Sequence, residues 1–199
     1  MSIIRAFIAL DLTSEIRNGL DQVISELKTS LEGVPIRWIP AENIHLTLKF
    51  LGDVSTSNIE MLEKILRSEV SGHQPFEISV GGIGAFPSSR HARIVWVGVE
   101  APPELTAVQH GIETGMARLG YASEERQFSP HLTLGRVSRN ATSRDAHAIC
   151  QILESTRVGF LGVANVTELH LYRSDLKPSG AVYTRIFTAP LGSEAGKSL

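Results

Sequence analysis

The stretch Asn43-Ile44-His45-Leu46-Thr47-Leu48-Lys49-Phe50-Leu51-Gly52 alternates polar and apolar residues with a period of two through its first half. Side chains alternate sides along a strand, so His45 and Thr47 face one way and Leu46 and Leu48 the other. The same order returns 86 residues later, from His45 to His131, as Pro130-His131-Leu132-Thr133-Leu134. There His131 and Thr133 share a face, with Leu132 and Leu134 opposite. The leucines suit a core; an imidazole and a hydroxyl on the other face suit a cleft. Each copy leads into a helical pattern, an extended run, a Pro-Ser turn (Pro87-Ser88, Pro178-Ser179) and another extended run. Two such halves pack naturally about a pseudo-two-fold axis, with corresponding strands facing each other.

Working outward from the motifs, Ile4–Leu10 reads as a buried strand. Thr13 starts a helix whose apolar positions are Leu20, Val23, Ile24, Leu27 and Leu31, and Gly33 stops it. Helices are predicted over Thr56–Val70, Pro103–Leu119 and Ser143–Leu153. Strands are predicted over Ile44–Leu51, Phe76–Phe86, Arg93–Val99, Phe128–Val137, Val163–Tyr172 and Val182–Phe187. The glycines of Phe76–Phe86 point to a bulge. The tail 192–199 reads as frayed. Strands and helices mix without strict alternation, which predicts an α+β fold. It has two pseudo-symmetric lobes of mainly antiparallel sheet, with outer helices around a central cleft. Residues 1–199 form one two-lobed domain with no linker dividing it.

Bulk composition narrows the function. The net charge is −2 over 199 residues. A protein that coats long nucleic acid carries a basic excess, so that class is disfavoured; a nucleic-acid end or a single nucleotide needs only a few local groups. No apolar run approaches the ~20 residues that span a bilayer. The apolar stretch near the start stops at Asp11, too soon for a secretory signal. A cytoplasmic protein without membrane attachment, acting as a monomer, is the expectation. The single cysteine, Cys150, rules out an internal disulfide and a cysteine zinc cage, and reads as a small core residue.

Two histidines and two threonines around one point match what phosphodiester cleavage needs. A base takes a proton from the attacking oxygen, and an acid protonates the leaving oxygen on the other side. Imidazole, with a reference pKa of about 6.5, does both jobs near neutrality. Hydroxyl donors on Thr47 and Thr133 would hold the non-bridging phosphate oxygens. No His-Glu-x-x-His or cysteine cluster suggests a metal. Gly81-Gly82-Ile83-Gly84 lacks the lysine and helix start of a phosphate loop.

With these motifs the chain resembles the two-histidine (2H) phosphoesterase superfamily, and within it the RNA 2′,3′-cyclic phosphodiesterases long called LigT-type 2′-5′ RNA ligases. The likeness rests on Arg5–Leu10, Arg37-Trp38, Asn43–Gly52, Gly84–Pro87, Phe128–Arg136, Arg173–Leu176 and Tyr183-Thr184. It implies a two-lobed fold and metal-independent hydrolysis of RNA or nucleotide 2′,3′-cyclic phosphates to 2′-phosphomonoesters, with no cofactor. The implied substrates are RNA 3′ ends or small cyclic nucleotides. In that scheme His131 activates water and His45 protonates the departing 3′ oxygen, an assignment that sequence symmetry does not decide. Reversal would join a 5′-hydroxyl in a 2′-5′ linkage. The resemblance also makes Arg136 a phosphate contact. Counting by twos from His131 sends Arg136 to the opposite face, and a bulge at Gly135 would turn it inward.

Other residues have plainer readings. Phe7 could stack a base, although a strand phenylalanine is more often core; Trp38 is treated alike. Lys49 shares the alternation face of His45 and Thr47, which would put it at the cleft rim, although a lysine there is more often simply solvated. His73, His91, His110, His147 and His170 read as surface or structural. Two other functions fit the motifs: a non-catalytic nucleotide- or RNA-end-binding module, and a two-histidine phosphodiesterase for another substrate such as ADP-ribose cyclic phosphate. Intact histidines and threonines favour catalysis over the first. A two-histidine metal hydrolase lacks carboxylates near the motifs.

Overall fold

The computed structural model of the protein describes residues 2–178 and 180–192; Ser179 and the tail beyond Gly192 lie outside the described residues, and with them the expected turn at Ser179 and the frayed tail. The chain runs β1 (Ile3–Leu10), α1 (Ser14–Ser30), β2 (Ile36–Trp38), β3 (Leu46–Ser55), α2 (Ile59–Ser71), β4 (Phe76–Phe86), β5 (Ile94–Glu100), α3 (Pro103–Arg118), β6 (His131–Val137), α4 (Ser143–Ser155), β7 (Phe160–Val166), β8 (Glu168–Lys177) and β9 (Gly180–Pro190). Two antiparallel sheets result, one ordered β3-β1-β8-β9 and the other β2-β6-β5-β4-β7. The fold is the α+β arrangement of two pseudo-symmetric lobes expected from the sequence.

Helix α1 shows how local chemistry sets an element. The Thr13 hydroxyl accepts from Ile16 N–H at 3.3 Å, and Glu15 and Lys28 sit at the ends where the helix dipole favours their charges. Ile16, Leu20, Val23, Ile24 and Leu27 form its buried stripe. α4 begins with a reciprocal cap, Thr142 with Asp145. In β3 and β6 the leucines Leu46, Leu48, Leu132 and Leu134 all enter one continuous core.

Three features of the strands differ from simple alternation. β4 bulges at Gly82, whose φ is +72°, as the glycine-rich run predicts. β3 carries extra residues opposite β1: Ile8 pairs with Lys49 and Ala9 with Thr47, which leaves Leu48 unpaired, and Ala6 pairs with Gly52 while Phe7 pairs with Phe50, which leaves Leu51 unpaired. β6 bulges too: Val95 pairs with Gly135 and Trp96 with Thr133, which leaves Leu134 between them.

The predicted strand Val163–Tyr172 is in fact two. β7 pairs with β4 in one sheet and β8 with β1 and β9 in the other, with Thr167 between them. The apolar alternation continues through the crossing, so the pattern hides the change of sheet. The second half therefore has a strand more than the first after its helix. β6 also starts at His131, three residues later than the apolar pattern suggested.

Candidate active site

Each motif histidine is anchored the same way. His45 Nδ1 lies 3.1 Å from the Asn43 carbonyl oxygen, and His131 Nδ1 lies 2.7 Å from that of Ser129. A carbonyl only accepts, so Nδ1 carries the proton in both rings. Nε2 is left unprotonated in the neutral ring at both positions. The backbone two residues upstream thus fixes the tautomer, in the two lobes alike.

A cavity of about 170 Å³ opens between the sheets. Arg5, Phe7, Asn43, His45, Thr47, Phe50, Ser174 and Tyr183 line it from the four-stranded side, and Thr133 and Arg136 from the five-stranded side. His45, Thr47, Thr133 and Arg136 are therefore brought together. His131 is outside this lining. It opens β6 on the same side as Thr133, opposite Gly98, with its ring edge-on to Phe86 at 4.9 Å between centroids.

The bulges decide which side chains reach the cavity. Leu134, the extra residue in β6, is fully buried, and Arg136 comes onto the face of Thr133. The parity conflict in the sequence is resolved one residue earlier than Gly135. In β3 the extra residue Leu48 has the opposite effect on Lys49. Lys49 is not a solvated rim lysine: it is 5% exposed, and its Nζ donates to Glu113 Oε1 at 2.5 Å and to the Ala122 carbonyl at 2.9 Å. Phe50 takes the cleft-facing place instead.

Phe7 is both core and site. It is buried with Ala9 and Tyr172, stacked on Tyr172 at 5.3 Å and edge-on to Tyr183 at 4.9 Å, yet it borders the cavity. Trp38 lies against Gly135, where an added Cβ would stand 2.9 Å from its ring. Cys150 is only half-buried and is no core residue; its Sγ donates to Glu154 at 3.3 Å.

The sequence reading missed Asp11. This carboxylate sits just past β1 with Oδ1 3.3 Å from His45 Nε2. Tyr172 Oη donates to Oδ1 at 2.6 Å, Arg185 Nη2 donates to Oδ2, and Arg17 and His170 stand 3.6 Å away. Burial alone would raise its pKa. The hydrogen bonds from His45 and Tyr172 and the charges of His170 and His45 outweigh that and hold the carboxyl well below the usual carboxylate range. Burial and the bond to Asp11 push the Tyr172 hydroxyl up to about 12. His170 is buried and structural; its Nδ1 is 3.0 Å from Thr188 Oγ1, and burial, then the Arg185 charge, lowers its pKa. An ionised carboxylate only accepts, so the Asp11–His45 contact is a hydrogen bond when Nε2 is protonated. His131 has no ion pair among the described residues, and the two histidines are thereby unlike. A single Asp between a strand and a helix start carries no chemical signature, and its partners Tyr172 and Arg185 are far away in the chain.

The family model described as "LigT like Phosphoesterase" matches the chain twice, over residues 10–96 and 97–183, with one motif histidine in each. The chain is 36% identical over 182 residues to the RNA 2′,3′-cyclic phosphodiesterase of Methanothermobacter thermautotrophicus, covering 91% of this chain and 95% of that protein. It is 33% identical to the Escherichia coli K12 protein of the same name, covering 90% and 92%. Among solved structures, E. coli LigT complexed with 3′-AMP aligns with a TM-score of 0.75 at 28% identity, over 96% of this chain and 99% of that one. TT0787 of Thermus thermophilus aligns with a TM-score of 0.75 at 25% identity, over 96% and 100%. With both halves matched and the paired His-x-Thr strands in place, the chain belongs to the LigT-like phosphoesterases of the two-histidine superfamily.

Proposed function

We propose that the protein hydrolyses 2′,3′-cyclic phosphates of RNA 3′ ends or nucleotides to 2′-phosphomonoesters, without a metal or cofactor. The carrying observation is the matched anchoring of His45 and His131 through Nδ1, with Thr47, Thr133 and Arg136 converging on one cavity. His131 Nε2 takes a proton from water as its oxygen attacks phosphorus. The bond to the 3′ oxygen breaks, and His45 Nε2 delivers a proton to that oxygen. Thr47, Thr133 and Arg136 hold the non-bridging oxygens as negative charge builds on them. The carboxylate of Asp11 facing His45 Nε2 supports His45 as the donor end of the pair.

The relatives' printed names support the substrate class, and the complex of E. coli LigT with 3′-AMP supports nucleotide binding. Residues 1–199 act as one two-lobed domain built on an internal repeat, a reading supported by the double family match. The protein works as a cytoplasmic monomer in this reading; no helix among the described residues is long and apolar enough to cross a membrane. The same groups run backwards would join a 5′-hydroxyl to the cyclic phosphate in a 2′-5′ linkage.

The test is hydrolysis of a nucleoside 2′,3′-cyclic phosphate and of an oligoribonucleotide ending in one, with EDTA present, product position read by phosphorus NMR. A 2′-phosphate from wild type, lost in His45→Ala and His131→Ala, is expected. No turnover of either substrate overturns the reading in favour of a binding module or another phosphodiester.

A further inference from the structure

The cavity holds more than hydrolysis of a cyclic phosphate uses. Thr47, Thr133 and Arg136 in its lining account for one phosphate. Arg5 and Phe50, on the four-stranded side, remain without a role. Arg5 lies on β1, two residues before Phe7 on the same face, and its strand neighbours are Asp53 and Ser174. Among the described residues the guanidinium makes no ion pair or hydrogen bond, with Asp53 or any other group, although Arg17, Arg173 and Arg185 all pair with carboxylates. Arg136, entering from the five-stranded side, is equally unpaired among the described residues. Two free cations from opposite sheets therefore line a single cavity.

Phe50 is the other unexplained group. It is 67% exposed, although it borders the cavity and its ring centroid is only 6.0 Å from that of Phe7. The bulge at Leu48 is what brings this ring to the cleft face in the place that alternation would give Lys49. Single exposed apolar residues are ordinary on a protein surface. An exposed ring and an unpaired arginine lining one cavity are the combination that holds single-stranded nucleic acid, with bases stacked and backbone neutralised.

Resting on the phosphodiesterase reading above, we propose that this side of the cavity is a subsite for the nucleotide preceding the cyclic phosphate, with Arg5 on the internucleotide phosphate and a base stacked on Phe50. One ribose separates the cyclic phosphate from the next phosphodiester, so a second cation has to come from another wall of the cavity, and Arg5 and Arg136 belong to different sheets. The preferred substrate is then an oligoribonucleotide end rather than a free cyclic mononucleotide. A subsite of one added nucleotide also suits a chain of net charge −2, whose overall balance carries no basic excess.

The experiment compares kcat/KM for cytidine 2′,3′-cyclic phosphate, for the dinucleotide CpC ending in the cyclic phosphate, and for that dinucleotide with an uncharged methylphosphonate linkage. Wild type is expected to favour the charged dinucleotide over the mononucleotide by about tenfold or more, the scale of one charge-assisted phosphate contact. Arg5→Met and the methylphosphonate should each collapse that ratio, and Phe50→Ala should lower it about fivefold or more. The dependence of log kcat/KM on log salt for the charged dinucleotide should flatten by about 0.7 in Arg5→Met. The methylphosphonate arm needs no variant, so misfolding cannot mimic its result. Equal kcat/KM for all three substrates in wild type overturns the subsite, as does an Arg5→Met effect that is the same for mononucleotide and dinucleotide. No turnover of any substrate by wild type overturns the phosphodiesterase reading itself, and the subsite with it.

Discussion

Replacing Asp11 by asparagine tests the network behind His45. Tyr172 Oη at 2.6 Å, Arg185, His45 Nε2 at 3.3 Å, and Arg17 and His170 at 3.6 Å all converge on this carboxylate. The amide keeps an acceptor for Tyr172 but turns an N–H₂ group toward donors. A hydrogen bond to an ionised partner is worth about 1.5–3 kcal/mol and a neutral one about 1. The exposed Arg185 and part-exposed Arg17 add roughly 0–1 kcal/mol each. The expected loss at neutral pH is about 2–3 kcal/mol, which for a domain of this size lowers Tm by roughly 4–12 °C. The pH dependence is the sharper signature. Asp11's folded-state pKa lies below the unfolded value of about 3.9, so its contribution is complete above about pH 4. It falls by about 1.4 kcal/mol per pH unit below that, until the folded-state pKa is reached. Urea unfolding of wild type and Asp11→Asn from neutral pH down to about pH 2.5 measures the difference directly, with the midpoint and slope taken at each pH. A difference under about 0.5 kcal/mol at neutral pH refutes the reasoning. So does one that stays constant as the solution is acidified, because an unshifted carboxylate contributes no pH dependence.

Three further outcomes are expected. His45→Ala and His131→Ala should each lower kcat by about 10²–10⁴, with a bell-shaped pH profile in wild type only and a double variant far from additive; additive losses would deny that the two act as a pair. Lys49→Met should cost about 3 kcal/mol in urea unfolding by leaving Glu113 uncompensated, and Lys49→Met with Glu113→Leu should recover part of it; an unimproved double variant would count against the buried pair. Gly84→Ala drives a Cβ into the Trp96 ring, well inside van der Waals contact, and should cost about 1–3 kcal/mol and shift tryptophan emission; an unchanged emission and stability would show that the ring moves aside freely.

The prominent elements were legible because their signals are local. A hydroxyl cap at Thr13, an apolar stripe at helical spacing and a glycine stop define α1 within a short stretch of chain. Alternation across His45–Leu48 and His131–Leu134 defines the strand faces just as locally, and repetition of the motif marked the pair as a unit. The boundaries that failed lie where local pattern and sheet membership part. At Thr167 the apolar alternation runs on while the chain changes sheets, and nothing in the residues themselves marks that step.

Sequence alone determined the α+β mixture and the doubling of the chain and singled out the two histidines and their threonines as candidates, since each follows from residue type at a fixed short spacing. Tertiary structure decided the facing of every residue beyond a bulge. One unpaired leucine in β3 buries Lys49 and exposes Phe50, and one in β6 turns Arg136 into the cavity. A period-two count has no term for an extra residue, because a bulge is set by how two strands pair. Tertiary structure alone also set Asp11 beside His45, Tyr172 and Arg185, residues up to 174 positions away along the chain, and so made two look-alike histidines different.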